Sequence, residues 1–325
     1  MKRIERLLTA GIIALVIVVG IAAQAGWFNP AAVAGALFGS ATGIEVPPLD
    51  DLAMIRRGAG HYDRVCAGCH ASPERPDLGE ELALTPPPPK LHLRVEGWPP
   101  EVLYATVKHG IPNTAMPAWP AQTRDDEVWD MVAFLTVLPS LDVAAYRHWA
   151  GLDVLTDGVP PEVLRCIGCH GNDGRGLPDG AFPRLDIQGE TYLFQSLHAF
   201  RDGKRWSGFM QSAVSGLRDD ELAALSNYFA GEADLPPTGD APPIVKFGIA
   251  ERKVPACAGC HGPPSTRPEI PNLIGQHKGY LQRQLGLFIR QERGGGPFAT
   301  LMHAAALGLS EKSVAKAIEW YSAPN

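Results

Sequence analysis

The sequence predicts an all-α protein in which three tandem helical domains follow an N-terminal transmembrane helix or signal segment. The motif Cys-x-x-Cys-His occurs three times, and its copies start 100 and 91 residues apart. Each copy is followed by Pro-x-Leu and then by a methionine. After each methionine, polar or acidic residues open an apolar-periodic run, which is typical of a helix start. The three repeats define predicted domains that we call units one, two and three: residues 49–140, 141–235 and 236–325.

The N-terminal segment 1–28 is predicted to anchor the chain in a membrane or to be a signal segment, and a linker follows at 29–48. Residues 7–28 are almost purely apolar, long enough for a spanning helix of about 20 residues. Ala23-Gln24-Ala25 resembles a cleavage site, so a removed signal peptide is the alternative. Basic residues at the start keep the N-terminus cytoplasmic. We therefore expect the chain on the periplasmic side of a bacterial inner membrane, or in the periplasm if the segment is cleaved.

Composition excludes some classes of function. The chain has 29 basic and 35 acidic residues, a formal net charge of −6, and no basic block, so no nucleic-acid partner is expected. All six cysteines lie in the three motifs. No cysteine is left for a disulfide framework or for a thiolate ligand to iron. The length of 325 residues suits two or three domains.

The Cys-x-x-Cys-His motif is the attachment signature of c-type haem. Two thiols three positions apart reach the two vinyl groups of one porphyrin, and the next histidine lies beneath the iron. A redox dithiol needs no adjoining histidine, and three separated pairs do not divide into four-ligand zinc sites. The sequence therefore predicts three covalently bound haem c groups. The predicted attachment residues are Cys66, Cys69, Cys166, Cys169, Cys257 and Cys260, and the predicted iron ligands beside them are His70, His170 and His261.

The Pro-x-Leu sequences after the motifs offer partners for these histidines. A ligating histidine usually donates its second ring N–H to a fixed acceptor, often a backbone carbonyl. The carbonyls of Pro89, Pro183 and Pro271 suit that role. The alternative interpretation is that these prolines only mark loops and do not contact the histidines.

One methionine in each unit stands where a second axial ligand is expected. Met116, Met210 and Met302 follow their histidines by 46, 40 and 41 residues, and an aromatic residue stands 18 positions after each methionine. A buried methionine is more often a core residue, but this common spacing favours ligation. For Met302, the neighbouring His303 is a competing ligand.

Units two and three share a helical pattern that unit one lacks. Tyr-Leu-x3-Leu-x2-Phe occurs at 192–200 and at 280–288, with apolar residues at near-helical spacing. Basic side chains follow each pattern and either pair with haem propionates through charge-assisted hydrogen bonds or form solvated helix ends. These residues are Arg201, Lys204, Arg205, Arg290 and Arg293.

All three units resemble class I cytochrome c domains. Units two and three resemble tandem diheme cytochromes of the bacterial periplasm, and unit one resembles single-haem domains with the axial loop Gly-Ile-Pro-x-Thr-x-Met-Pro-Ala-Trp, here residues 110–119. Unit one has Gly58 and Tyr62 before its cysteines, as a contact between its first and last helices requires. Pro160-Pro161 and Pro255 precede the other two motifs, so short or irregular leading helices are expected there.

These features predict an electron-transfer protein rather than an enzyme. Histidine–methionine ligation fills both axial positions and leaves one-electron transfer as the available chemistry. We expect a membrane-tethered triheme relay from a dehydrogenase or quinol-oxidising complex to a terminal oxidase or soluble carrier, or the cytochrome subunit of such a complex. The alternative is a haem enzyme of the diheme-peroxidase type with one open haem site. A gas or redox sensor is a third interpretation, which the absence of an attached signalling domain disfavours. An open site would give a role to one of four further histidines: His109, His198, His277 and His303.

Overall fold

The computed structural model describes residues 43–154, 156–177, 179–231, 240–262 and 267–322. Within these ranges the chain forms fifteen α-helices, and its only β-structure is two isolated bridges, so the all-α prediction is confirmed for them. None of these helices has the length and apolar character needed to span a bilayer. The predicted anchor at 7–28 lies outside the described residues and stays a prediction.

Helices α1 to α6 belong to the N-terminal part. They are α1 (Leu52–His61), α2 (Ala67–His70), α3 (Leu91–Arg94), α4 (Pro100–His109), α5 (Asp125–Val137) and α6 (Val143–Ala150). A π-helical turn, Tyr62–Cys66, joins α1 to α2. The Asp51 side chain caps α1 by accepting a hydrogen bond of 2.7 Å from the backbone N–H of Ala53.

The contact between α1 and α5 depends on Gly58, as the sequence predicts. A Cβ at this position would overlap the Asp130 carbonyl and lie 2.7 Å from Cβ of Phe134. Tyr62 is fully buried beside Phe134, and their ring centroids are 5.3 Å apart. Tyr146 of α6 joins the same core, although the predicted boundary of unit one falls before it.

The two later repeats have short leading helices, in agreement with their prolines. Helix α7 has seven residues, and α11 and α12 have four each. The C-terminal helices α10 and α15 begin shortly after the methionines, also as predicted. The helices of this part are α7 (Leu164–His170), α8 (Glu190–Arg201), α9 (Gly208–Val214), α10 (Asp219–Phe229), α11 (Pro243–Lys246), α12 (Ala258–His261), α13 (Lys278–Ile289), α14 (Ala299–Leu307) and α15 (Glu311–Tyr321).

The described residues bury three hydrophobic clusters, one for each repeat. The largest lies between α1, α4, α5 and α6 and also takes in Trp206 and Phe209 of unit two. The second packs α8 against α10, and the third packs α13 against α15. The repeats therefore have separate cores, and unit one additionally covers part of unit two.

Units two and three meet through two equivalent glutamines. Each stands five residues after the Pro-x-Leu proline of its own unit. Gln276 accepts a hydrogen bond from the Arg184 N–H (2.8 Å) and donates one to the Arg184 carbonyl (3.0 Å). Gln188 does the same with Asn272, at 3.0 and 2.8 Å. Each unit thus clamps the loop of the other, which is the reciprocal pattern of an approximately two-fold interface.

Candidate haem sites

None of the six motif cysteines is paired in a disulfide. Burial, with a smaller effect of the neighbouring Cys69, raises the pKa of Cys66 to about 12. Burial likewise raises the pKa of Cys166 to about 11 and that of Cys257 above its usual range. Redox-active dithiols have lowered pKa values instead. Burial therefore disfavours the thiolate form at these three positions.

The predicted proline contacts are present for two of the three motif histidines. Nδ1 of His70 donates to the carbonyl of Pro89 at 2.9 Å, and Nδ1 of His261 donates to that of Pro271 at 2.9 Å. In unit two, Nδ1 of His170 is buried without a hydrogen bond of ordinary geometry. The Pro183 carbonyl nevertheless lies close enough to favour protonation of that ring. In units one and three the contact fixes the ring so that Nε2 is left available to a metal.

Loss of hydration favours the neutral form of all three motif histidines, of which His170 is buried and His70 and His261 are half-buried. It lowers the pKa of His70 and of His261, and the proline carbonyls only partly oppose this effect. For His170 burial lowers the pKa to about 4. Neutral imidazole is the form that binds iron, so these rings are ready to ligate at neutral pH.

The loop around Met116 is shaped by Gly110. This residue has φ of +66°, and a Cβ there would lie 2.6 Å from the Met116 carbonyl oxygen. That carbonyl accepts a hydrogen bond from the Ile111 N–H at 3.1 Å, and the Met116 N–H donates to Oγ1 of Thr114 at 3.1 Å. The half-buried Met116 side chain is therefore presented by a tight, internally bonded loop.

The other two methionines lie on helices. Met210 is the third residue of α9, packs on the second core together with Cys166, and donates its N–H to Oγ of Ser207 at 3.2 Å. Met302 is half-buried on α14. His303 beside it donates from Nδ1 to the Phe288 carbonyl at 2.9 Å. This contact gives His303 a structural role in holding α14 on α13.

The basic residues after the shared helical pattern divide into two groups. Arg201 pairs with Asp219 (2.8 Å), Lys204 with Asp202 (3.1 Å), and Arg290 with Glu292 (2.6 Å). These three are therefore partnered within the chain at helix ends. Arg205 and Arg293 are different, because only 7% and 9% of their surface is exposed.

Arg205 and Arg293 meet no carboxylate within the ranges that the structure describes. Arg205 donates to the hydroxyls of Tyr192 (3.2 Å) and Tyr280 (3.1 Å), and Arg293 donates to Oε1 of Gln284 at 2.7 Å. Burial, and then repulsion by Arg205, lowers the pKa of Arg293 to about 10, so both cations are charged at neutral pH. Buried charges without a counter-ion are costly. This pair fits the anionic propionates of haem, to which arginine donates charge-assisted hydrogen bonds.

Two further polar groups lie unpartnered near the third motif. Nε1 of Trp320 and the hydroxyl of Tyr321 are buried without a hydrogen bond. Burial, together with the Cys257 and Cys260 thiols, raises the pKa of Tyr321. Orphaned polar groups beside the attachment thiols fit a site that a cofactor completes.

Two of the other histidines considered for an open haem site, His198 and His277, are held by contacts within the fold. Nδ1 of His198 lies 3.0 Å from a guanidinium nitrogen of Arg201, and Nε2 of His277 donates to the Arg175 carbonyl at 3.0 Å. His109 is exposed at the end of α4.

The sequence interpretation missed how closely unit one approaches the second motif. A Cβ on Gly60 of α1 would lie 2.9 Å from Sγ of Cys169. Arg64 donates to the carbonyls of Ala150 (3.1 Å) and Arg165 (3.2 Å). Gly60 could have predicted this contact, because a helix with a glycine on one face can approach a neighbouring segment closely.

Comparison with known proteins agrees with this chemistry. Residues 53–135 match the family described as cytochrome c oxidase, cbb3-type, subunit III. The chain is 32% identical over 203 residues to the thiosulfate dehydrogenase electron acceptor of Thiomonas intermedia, covering 59% of this chain and 90% of that protein. It is 35% identical over 190 residues to cytochrome c4 of Pseudomonas aeruginosa, covering 56% and 92%.

Among solved structures, reduced recombinant cytochrome c4 from Pseudomonas stutzeri is similar at 27% identity, with a TM-score of 0.45 and coverage of 50% of this chain and 94% of that one. A further similar structure is cytochrome c4 of Acidithiobacillus ferrooxidans, with 27% identity, a TM-score of 0.42 and coverage of 49% and 98%. Because the two relatives in sequence are matched over nearly their whole length, the chain belongs to the c-type cytochromes, in the group that includes cytochrome c4.

Proposed function

We propose that this chain is a triheme cytochrome c that relays single electrons. Each of units one, two and three would hold one haem through its cysteine pair. The carrying observation is that Cys-x-x-Cys-His recurs three times and that in units one and three Nδ1 of its histidine donates to the carbonyl of the following Pro-x-Leu proline. The iron ligands are proposed to be His70 with Met116, His170 with Met210, and His261 with Met302.

The bound haems supply reversible one-electron chemistry, and the chain sets the conditions for it. Pro89 and Pro271 fix the tautomer and orientation of their histidines. Arg205 and Arg293 place positive charge near the contact between units two and three, where it would balance haem propionates. Methionine ligation would raise the potential of each haem.

The proposed partners are redox proteins on the periplasmic side of the inner membrane. One relative is named as the electron acceptor of thiosulfate dehydrogenase, which supports a dehydrogenase as donor. A quinol-oxidising complex would be the other class of donor, and a terminal oxidase or a small soluble carrier would accept the electrons. Segment 7–28 is proposed to tether the chain, as its apolar length suggests.

The haem count tests this proposal directly. Haem is measured by the pyridine haemochrome spectrum against protein concentration in the purified holoprotein. We expect three haems per chain, falling to two in the double variant Cys257→Ala, Cys260→Ala. A stoichiometry of two in the unaltered protein would overturn the triheme proposal, whatever the variant does.

A further inference from the structure

Glu127 of α5 is a buried carboxylate that reaches out of unit one into unit two. Only 1% of its surface is exposed. Its Oε1 accepts from the Ser207 hydroxyl at 2.6 Å, and its Oε2 accepts from the Gly208 N–H at 2.6 Å. Ser207 caps α9 and in turn accepts the N–H of Met210. The carboxylate is therefore two hydrogen bonds away from the methionine proposed as iron ligand in unit two.

The same carboxylate also touches the methionine loop of unit one. Nε1 of Trp119 donates to Oε2 of Glu127 at 3.4 Å, and Trp119 stands three residues after Met116. Arg124 lies 3.0 Å from Oε1 and donates to the Trp206 carbonyl at 2.6 Å. All four groups that these contacts bring to Glu127 are donors, which a carboxylate can satisfy.

Aromatic rings fill the space beside these hydrogen bonds. Trp119 meets Phe209 edge-on with ring centroids 5.4 Å apart, and His61 packs on both at 5.0 and 4.9 Å. A Cβ on Gly208 would lie 2.8 Å from Cζ2 of Trp119, so a glycine is required there. The two methionine segments are consequently in direct van der Waals contact.

The repeats show that this arrangement is specific to the contact between units one and two. Glu221 holds the same third position of helix α10, but it accepts from the Arg218 N–H of its own helix start at 2.9 Å. In unit three, the positions matching Ser207 and Gly208 are Ala299 and Thr300. Neither residue repeats the serine cap or the glycine.

We propose that Glu127 is a positioning residue that couples the axial-methionine segments of units one and two. This inference rests on the proposed function, because it presumes that Met116 and Met210 ligate iron.

The test compares Glu127→Gln with Glu221→Gln, which changes the same residue type at the same helix position. A glutamine amide at position 127 would turn donor hydrogens toward donors, whereas position 221 is partly exposed. The potentials of the haems in the holoprotein are measured by spectroelectrochemistry, with the unit-two haem identified by its response to Met210→His. The methionine-to-iron charge-transfer band is recorded in the same samples.

We expect Glu127→Gln to shift the potential of the unit-two haem and to weaken its methionine band, while the unit-three haem stays unchanged. Glu221→Gln should alter neither. Gly208→Ala, which pushes on Trp119 from the other side, should reproduce the shift and serves if Glu127→Gln does not fold. An unchanged unit-two potential beside a lowered melting temperature would reduce Glu127 to a structural contact. Absence of three low-spin haems in the unaltered protein would instead overturn the proposed function.

Discussion

At the scale of single residues, the chemistry of the sites depends on the charge, the tautomer and the hydrogen-bond partners of a few side chains. The motif histidines lack a charge because they lose hydration in the fold, and two of them lack tautomeric freedom because a proline carbonyl accepts Nδ1–H. Arg205 and Arg293 lack a carboxylate among the described residues. A haem supplies what each of these residues needs: a metal and two carboxylates.

The ligand assignment in unit two predicts the effect of Met210→His. Two imidazole ligands stabilise oxidised iron more than imidazole and thioether do, so the potential of one haem should fall while that haem stays bound. Redox titration of the holoprotein measures this change. The matched change at Met54→His, a methionine ahead of the first motif, should leave all potentials in place. An unshifted potential in Met210→His would show that Met210 is not a ligand.

The buried arginines predict a second residue-scale effect. Arg205→Gln removes a positive charge between units two and three, where we place the propionates. Positive charge favours reduced haem, so its loss should lower the potentials of the haems in these two units, while Arg290→Gln at the surface should change none. Redox titration of both variants decides the point. Equal, unshifted potentials would show that no propionate lies near Arg205.

At the scale of helices, a glycine in the sequence indicated a close helix contact, and prolines indicated a short helix. Gly58 predicted the α1–α5 contact, and Pro160-Pro161 predicted the short α7. The aromatic residues 18 positions after the methionines lie on C-terminal helices, as expected. Contacts between repeats could not be predicted from the sequence. A glutamine such as Gln188 is the same residue in the sequence whether its side chain is solvated or bonded to another unit.

The helix contact at Gly58 predicts the cost of Gly58→Ala. The added methyl group would collide with backbone and Cβ atoms of α5, so we expect the unfolding free energy to fall by roughly 1–3 kcal/mol. Gly279→Ala is the control, because nothing lies within 4 Å of a Cβ there. This change should raise the unfolding free energy slightly, by less than about 1 kcal/mol. Urea unfolding of the holoproteins measures both. Equal stability of the two variants would contradict the packing account.

At the scale of the whole molecule, helix α5 of unit one organises the assembly. Its Glu127 bonds to unit two, and its Asp126 and Asp130 bind Arg283 of unit three at 2.8 and 3.0 Å. The repeats predicted three units but did not predict which of their helices touch. The structure adds a contact between units one and three that depends on one arginine with no counterpart in the motif pattern.

The Arg283 contact predicts an acid-sensitive interface. Burial raises the pKa of Asp126, but Arg124 and Arg283 outweigh it and hold that pKa below its usual range. Because a lowered pKa stabilises the fold only while the carboxylate is ionised, this contribution is full above about pH 4 and declines as pH falls further. Arg283→Gln should cost about 1–3 kcal/mol at pH 7, and the difference from the unaltered protein should shrink below about pH 4.

Thermal unfolding of the holoprotein across this pH range follows the interface. Arg290→Gln is the matched control, since Arg290 pairs with Glu292 on the exposed surface and an exposed pair contributes little. A stability difference for Arg283→Gln that stayed constant down to about pH 3 would contradict the assignment to Asp126.

The central claim is that three closed haem sites form a relay. Spectroelectrochemical titration of the purified holoprotein, with carbon monoxide added to the reduced form, tests it most directly. We predict three low-spin haems at positive potentials, none of which binds carbon monoxide, because histidine and methionine fill both axial positions of each iron. A high-spin haem, or one that binds carbon monoxide, would contradict the relay and favour an enzyme with an open site.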